Sequence, residues 1–300
     1  MKKLSAMVMA GVMALGMVGC GSTAAEAPAE STAPAAESTA AETTESTVEV
    51  QTEGADVQTE TGRQFVVGFD AEFPPYGYKD DSGEYVGFDL DLAQEVCNRL
   101  GWTLVKQPID WDAKDMELDS GAIDCIWNGF TMNGREDDYT WSDPYVDNSQ
   151  VMVVSENSGI NSLSDLAGKT VGVQAASAAL DLLQSEEEGG QKELADTFAA
   201  LQQFPDYNNA FVELQAGSID AVAMDIGVAK YQLESRGEGY KILDEHLNSE
   251  KYAIGFKKGN TELCDKVNEG LQQVLADGTF DKLAEKYGIA DMVCLEKKGE

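Results

Sequence analysis

The strongest constraint on the fold is a rhythm of short apolar runs alternating with helical patterns. Phe65-Val-Val-Gly-Phe-Asp70, the stretch 102–105 and Ile123-Asp-Cys-Ile-Trp127 are rich in β-branched and aromatic residues and too short for buried helices. Between the first two, Asp89 precedes a pattern that puts Leu90, Ala93, Val96, Cys97 and Leu100 on one face and stops at Gly101, as a capped helix would. Residues 111–118 read as a short helix before the third run. Strand, helix, strand in this order calls for a largely parallel sheet with crossover helices. After a strand at 150–154 a second set follows, with helix 162–167, strand 170–174, helices 177–183 and 208–216, strand 221–224, helix 228–235 and strand 253–256. Helices near 262–276 and 280–287 come last, so the pattern predicts two α/β lobes, more than one compact sheet needs.

The first 62 residues differ from the rest. Lys2 and Lys3 precede an apolar run ending at Val18, then Gly19-Cys20, the layout of a secretory signal; at about fifteen residues the run is short for a helix that spans a bilayer. Met17-Val-Gly-Cys20 resembles the lipobox of bacterial lipoproteins, which implies a signal peptide over 1–19 and a lipidated Cys20. Residues 21–62 carry nine acidic residues with no Lys or Arg and few large apolar side chains. Such a stretch buries too little apolar surface to offset the entropy of ordering it, which predicts a disordered tether over 20–62.

Most of the net charge of −33 therefore falls on residues 63–300, where 43% apolar and 8% aromatic composition overall indicates a sizeable core. A fold this acidic repels phosphate backbones and argues against nucleic acid as a partner. No His/Cys cluster has metal-ligand spacing, and nothing calls for a cofactor. The single histidine, His246, lies in a polar stretch, which disfavours a Ser-His or Cys-His nucleophile. Beyond Cys20, four cysteines allow three pairings in an exported domain. Cys264 with Cys294 would pin the C-terminal segment, whereas Cys97 and Cys125 stand at core positions.

Gly129-Phe-Thr-Met-Asn-Gly-Arg135 leaves the third run as a loop, and such loops are where open α/β sheets bind ligands. A threonine hydroxyl, backbone amides and one guanidinium suit a ligand carboxylate. Arg135 is followed by three acids, so a solvated surface cation is the plain alternative. Four other positions sit at comparable strand ends or loops. Asp225 could pair an ammonium or cap the next helix; Gln174-Ala-Ala-Ser177 opens a helix whose first amides, at Ser177 and Ala178, could meet an anion; Asp70 and Phe73 follow the first strand; Trp111 opens a helix.

Phe73-Pro-Pro-Tyr-Gly-Tyr78, Gly87-Phe-Asp-Leu-Asp-Leu-Ala93, Ile109-Asp-Trp111, Gly121-Ala-Ile-Asp124, Gly129 to Arg135, Trp141-Ser-Asp-Pro-Tyr145, Leu166 to Val173 and Ile219-Asp-Ala-Val222 occur in the order found in family 3 solute-binding proteins. Over about 63–288 the chain thus resembles the extracytoplasmic receptors of polar amino acid ABC importers. The resemblance implies the periplasmic-binding-protein-like type II fold: two α/β lobes joined by two crossing strands, lobe 1 as 63–149 plus 252–300 and lobe 2 as 150–251. It implies a monomer, anchored on the outer face of the membrane through its lipid, that hands its ligand to an ABC permease and ATPase complex. By the same resemblance Arg135 holds the α-carboxylate with the amides of Thr131, Ser177 and Ala178. Asp225 holds the α-ammonium with the Thr131 hydroxyl and the Gly129 carbonyl. Phe73 and Trp111 sandwich the side chain, and Asp70, with Glu72 nearby, faces its far end.

Where relatives have Ser-Gly-Thr-Thr or a close variant, this chain has Ala175-Ala-Ser-Ala178, and Gln174 is neutral where a cation would favour acidic ligands. A polar or cationic side chain is the expectation, and no catalysis. The rival readings are an enzyme similar to cyclohexadienyl dehydratases, which share the fold, and a sensor lipoprotein with the same anchor.

Overall fold

The computed structural model describes residues 62–298. The predicted signal, Cys20 and tether lie outside the described residues. Within 62–298 no helix is long and apolar enough to cross a membrane.

Two five-stranded sheets carry the fold, and they are built alike. In the first, strands Thr103–Pro108, Gln64–Phe69 and Cys125–Ile126 run parallel, followed by antiparallel Gly255–Lys257 and Tyr139–Trp141. In the second, Ala200–Phe204, Thr170–Gln174 and Ala221–Asp225 run parallel, followed by antiparallel Gln150–Ser155 and Tyr240–Ile242. Strands Val146–Asn148 and Glu250–Tyr252 pair with each other between the two sheets and carry the chain from one lobe to the other and back. The register Val67↔Cys125 in one lobe and Val171↔Ala221 in the other sets the strand ends level along the cleft.

The predicted periodicities explain the packing. Phe65, Val67 and Phe69 alternate into a core with Leu90, Ala93, Val96 and Cys97 of helix Phe88–Leu100 and Val267, Leu271 and Val274 of helix Thr261–Ala276. Each of the Phe, Val and Leu side chains contributes about 1.5–3 kcal/mol on burial. Met152, Val154, Val171, Val173, Leu180 and Leu183 form the separate outer core of the second lobe. The first cluster also takes in Val151, Val153, Tyr207 and Phe211, so apolar packing continues across the floor of the cleft.

Several local expectations are corrected. Asp89 does not cap its helix: Gly87 takes that place, and Asp89 sits one residue inside with its carboxylate turned into the core. Segment 73–78 is not simply a loop, because Glu72–Phe73 and Gly77–Lys79 pair with each other and with Tyr85–Val86. Residues 162–167 form a short 3₁₀ turn, Leu163–Leu166, rather than an α-helix; the Ser162/Asp165 capping box satisfies its first amides. Strand Ala200–Phe204 has three exposed residues in five and no apolar alternation to betray it. Cys264 and Cys294 do not form the expected disulfide and are both free thiols. Their surroundings differ: Cys264 Sγ donates to the Trp141 carbonyl at 3.1 Å, whereas Cys294 lies beside Asp147 and Lys251. Burial pushes both thiols up to about 11, so neither is ready to be oxidised. Cys97 and Cys125 are buried, as expected.

Candidate functional site

Every anticipated site residue lies at or just past the carboxyl end of a strand or in the loop that follows it, where the two sheets face each other. Nine of the ten line one small cavity: Phe73, Trp111, Gly129, Thr131, Arg135, Gln174, Ser177, Ala178 and Asp225. Its volume is about 10 Å³, room for roughly one water. Nothing larger than a water fits it in this closed arrangement. Asp70 is the exception: it faces an adjoining cleft of about 620 Å³. Trp111 borders both spaces, and Glu72, Asp110, Asp112, Glu117 and Asp206 give the larger one an acidic lining.

Loop 129–135 is fastened to the returning strand by Met132 N donating to Lys251 O and Ala253 N to Phe130 O, both at 3.0 Å. Gly129 is required at its head. Its φ is +58°, and a Cβ there would come within 2.9 Å of both Phe73 and Tyr252. Its amide donates to Asp89 Oδ2 at 2.5 Å, which is the use made of the buried carboxylate that fails to cap its helix. Burial pushes that carboxyl up to about 7.

One end of the cavity is cationic. The Arg135 guanidinium lies over the Phe130 ring, and its side chain is only 12% exposed, so it is no solvated surface charge. Nη2 donates across the cleft to Asp181 Oδ2 at 2.6 Å. Behind it stands Lys114, 5% exposed, its Nζ 5.3 Å from the Trp111 ring and 3.3 Å from the Ala176 carbonyl of the other lobe. Burial, then the nearby Asp115 and Arg135 charges acting in opposite senses, leaves the Lys114 ammonium below its ordinary range. Ala176 adopts φ +54° to present that carbonyl, in the place where relatives were expected to carry glycine. Ser177 caps helix Ala178–Gln184, its Oγ accepting from Leu180 N at 3.2 Å.

The opposite end is anionic. Asp225 precedes helix Ile226–Arg236 but makes no capping bond. Its Oδ1 instead accepts from Asn148 and Gln150 at 2.8 Å and from Tyr252 at 2.6 Å, and its Oδ2 from Tyr207 at 3.2 Å. Glu250, also buried, accepts from the Thr131 hydroxyl at 2.8 Å. Burial, followed by the Glu250 charge, pushes the Asp225 carboxyl up to about 6. Between the two ends stand the aromatic faces. Phe73 packs at 5.9 Å on Tyr76 and Tyr207, and Trp111 meets Phe130 edge-on at 5.5 Å. Asp70 accepts from Glu72 N at 2.8 Å and from Gln174 Nε2 at 2.7 Å, and burial pushes it up to about 6.

Lys114, Asn148, Gln150, Tyr207, Glu250 and Tyr252 escaped sequence reasoning. Lys114 had a signal, since Trp111 and Lys114 are spaced i,i+3 on a helical segment. Glu250 had none, because it meets Asp225 only through the pairing of the crossing strands.

A two-lobed sheet pair with its polar site at facing strand ends defines a binding-protein architecture, and the comparisons agree. The chain belongs to the bacterial extracellular solute-binding proteins, family 3, whose profile matches residues 65–290. It is 28% identical over 230 residues to the L-cystine-binding protein TcyJ of Escherichia coli (strain K12), covering 76% of this chain and 83% of that protein. It is 30% identical over 234 residues to the arginine-binding extracellular protein ArtP of Bacillus subtilis (strain 168), covering 76% and 88%. Among solved structures, an ABC uptake transporter substrate binding protein from Streptococcus pneumoniae with bound histidine superposes with a TM-score of 0.73 at 34% identity, over 77% of this chain and 95% of that one. These relatives are named as binding proteins, not enzymes.

Proposed function

We propose that the protein is a lipid-anchored extracytoplasmic receptor that captures a free amino acid with a polar or cationic side chain and presents it to an ABC importer. One observation carries this reading. The cavity has Arg135 at one end and the buried Asp225 at the other, with Thr131 between them: its carbonyl accepts from Arg135 Nη1 at 3.4 Å, and its hydroxyl donates to Glu250, which shares the Asn148 and Gln150 amides with Asp225. An α-amino acid presents one carboxylate and one ammonium on a single carbon, so a site with poles one residue apart matches it. Arg135 takes the carboxylate with the amides of Thr131, Ser177 and Ala178. Asp225 takes the ammonium with Thr131 and the Gly129 carbonyl, and Phe73 and Trp111 enclose the side chain. Gln174 and Asp70 lie toward the acidic cleft, which disfavours acidic side chains.

The lobes turn about the crossing strands Val146–Asn148 and Glu250–Tyr252. A ligand bridging Arg135 and Asp225 binds the closed arrangement better than the open one, and that difference is the signal the permease reads. Cys20 supplies the anchor, lobe 1 comprises 63–149 with 252–300, lobe 2 comprises 150–251, and the receptor works as a monomer. A dehydratase has no comparable support, since the relatives named above are binding proteins.

The test is calorimetric titration of the protein with the twenty amino acids, cystine and ornithine, beside Arg135→Ala. Loss of a charge-assisted bidentate contact costs about 2 kcal/mol or more, so the variant's Kd rises at least ~30-fold. A folded wild-type protein that binds none of these ligands refutes the assignment.

A further inference from the structure

Two buried carboxylates face each other at the anionic end with no base between them. Asp225 Oδ1 and Glu250 Oε1 accept from the same two amides: Asn148 Nδ2 at 2.8 and 2.7 Å, and Gln150 Nε2 at 2.8 Å to each. An amide NH₂ has two hydrogens, so each amide gives one to each acid and clamps the pair together. The remaining neighbours are uncharged. Asp225 also has the Tyr252 and Tyr207 hydroxyls; Glu250 has the Thr131 hydroxyl and Asn248 Nδ2. Burial first, and nearby carboxylates after it, hold the Tyr76, Tyr207 and Tyr252 hydroxyls far above their ordinary range, so all three stay neutral.

The lysines of adjoining elements are engaged elsewhere, Lys251 with Asp147 and Lys230 with Asp291. Among the described residues no basic side chain pairs with either carboxyl. Two like charges this close in a dry site cannot both be kept cheaply, and one acid of such a pair retains its proton.

Resting on the amino acid reading above, we infer that in mildly acidic solution capture of the ligand ammonium expels a proton from the Asp225–Glu250 pair, with Glu250 the positioning residue that keeps Asp225 protonated until the ammonium arrives. The ammonium then supplies the positive charge that the site lacks, and both acids become carboxylates. The expelled proton has its own way out. Glu250 and Asn148 border a groove of about 510 Å³, with Asp147, Lys230, Lys251 and Asp291 along it, so the proton leaves by way of Glu250 without the cleft reopening.

The sign follows from the raised Asp225 carboxyl, near 6 before binding. Below that pH the ligand must displace a proton, so affinity falls as pH drops; above it, release and pH dependence both vanish. The experiment is titration calorimetry with L-arginine, L-glutamine and L-lysine, whose charges change little between pH 5.5 and 7.5, in paired buffers of different ionisation enthalpy. At pH 5.5 wild type releases ~0.8 proton per ligand and binds ~4-fold more weakly than at pH 7.5, where release is near zero. Glu250→Gln lowers the release at pH 5.5 to less than about half the wild-type value, a readout that a merely structural role would not move. Asp70 and Asp89, the other raised acids near the site, are unchanged in that variant, so the part of the release that Glu250→Gln removes belongs to the pair. Amino acid binding without buffer-dependent heat overturns the proton linkage and leaves the receptor reading intact. Equal release by wild type and a folded Glu250→Gln overturns the role of Glu250. If neither these three nor any other amino acid of the panel above binds the folded protein at either pH, both are overturned.

Discussion

Asp70→Asn makes this protein more stable at neutral pH and less able to hold a cationic ligand. Asp70 is 6% exposed, and burial lifts its carboxyl from 3.8 to about 6. Its folded value is thus above its unfolded one. The unfolded chain ionises from about pH 4 while the folded protein does not until about pH 6, so stability falls across that window and stays lower above it. A rise of roughly two pH units corresponds to about 3 kcal/mol lost at pH 7.5. Asparagine removes this cost but can accept only through its single carbonyl oxygen, so one of the bonds from Glu72 N and Gln174 Nε2 is forfeited. Gln174 Nε2 also reaches the Pro205 carbonyl at 3.2 Å, which limits that loss to about 1 kcal/mol. The net expectation is ~2 kcal/mol of added stability at pH 7.5, falling to zero near about pH 4.5 and reversing by up to ~1 kcal/mol below it. Urea denaturation of both proteins across this range measures the difference, in which the contributions of Asp89 and Asp225 cancel. A difference that is flat with pH, or a variant less stable at pH 7.5, refutes the reasoning. If arginine or lysine is a ligand, Asp70→Asn weakens it by about tenfold more than glutamine, because the cation no longer meets a strained negative charge.

Two further changes test the backbone of the site. Gly129→Ala places a methyl 2.9 Å from the buried Phe73 and Tyr252 rings at φ +58°, so strain and overpacking together cost about 2–4 kcal/mol in urea unfolding. Because Tyr252 also bonds Asp225, the same variant binds its amino acid at least ~10-fold more weakly. Ala176→Gly does the reverse: at φ +54° glycine relieves about 1 kcal/mol, and the urea midpoint rises while ligand affinity changes less than threefold.

The fold was legible wherever a strand or helix hides one face. The alternation in 65–70 and 170–174 and the helical stripe of Leu90, Ala93, Val96 and Cys97 specified both parallel sheet centres. The elements that sequence missed, such as Tyr240–Ile242 and Ala200–Phe204, are edge strands with half-exposed side chains, where solvent erases the apolar pattern. Nine of the ten anticipated site residues meet in one cavity, since each is fixed by its own strand end. Asp70 is set aside into the acidic cleft by its bond to Gln174. The free thiols of Cys264 and Cys294 show the limit of counting cysteines: pairing depends on which way two side chains face.

The sequence by itself determined the chemistry available: one guanidinium after a strand, one acid at another strand end, aromatics between, and two α/β lobes to carry them. Only the tertiary structure decided which groups meet. Asp225 lines the cavity rather than capping its helix because the crossing strands bring Asn148, Glu250 and Tyr252 around it and the next strand brings Gln150. These contacts span up to 102 residues of chain, and no local propensity encodes them. Their strength comes from burial, which removes competing water and couples the charges that the sequence could only count.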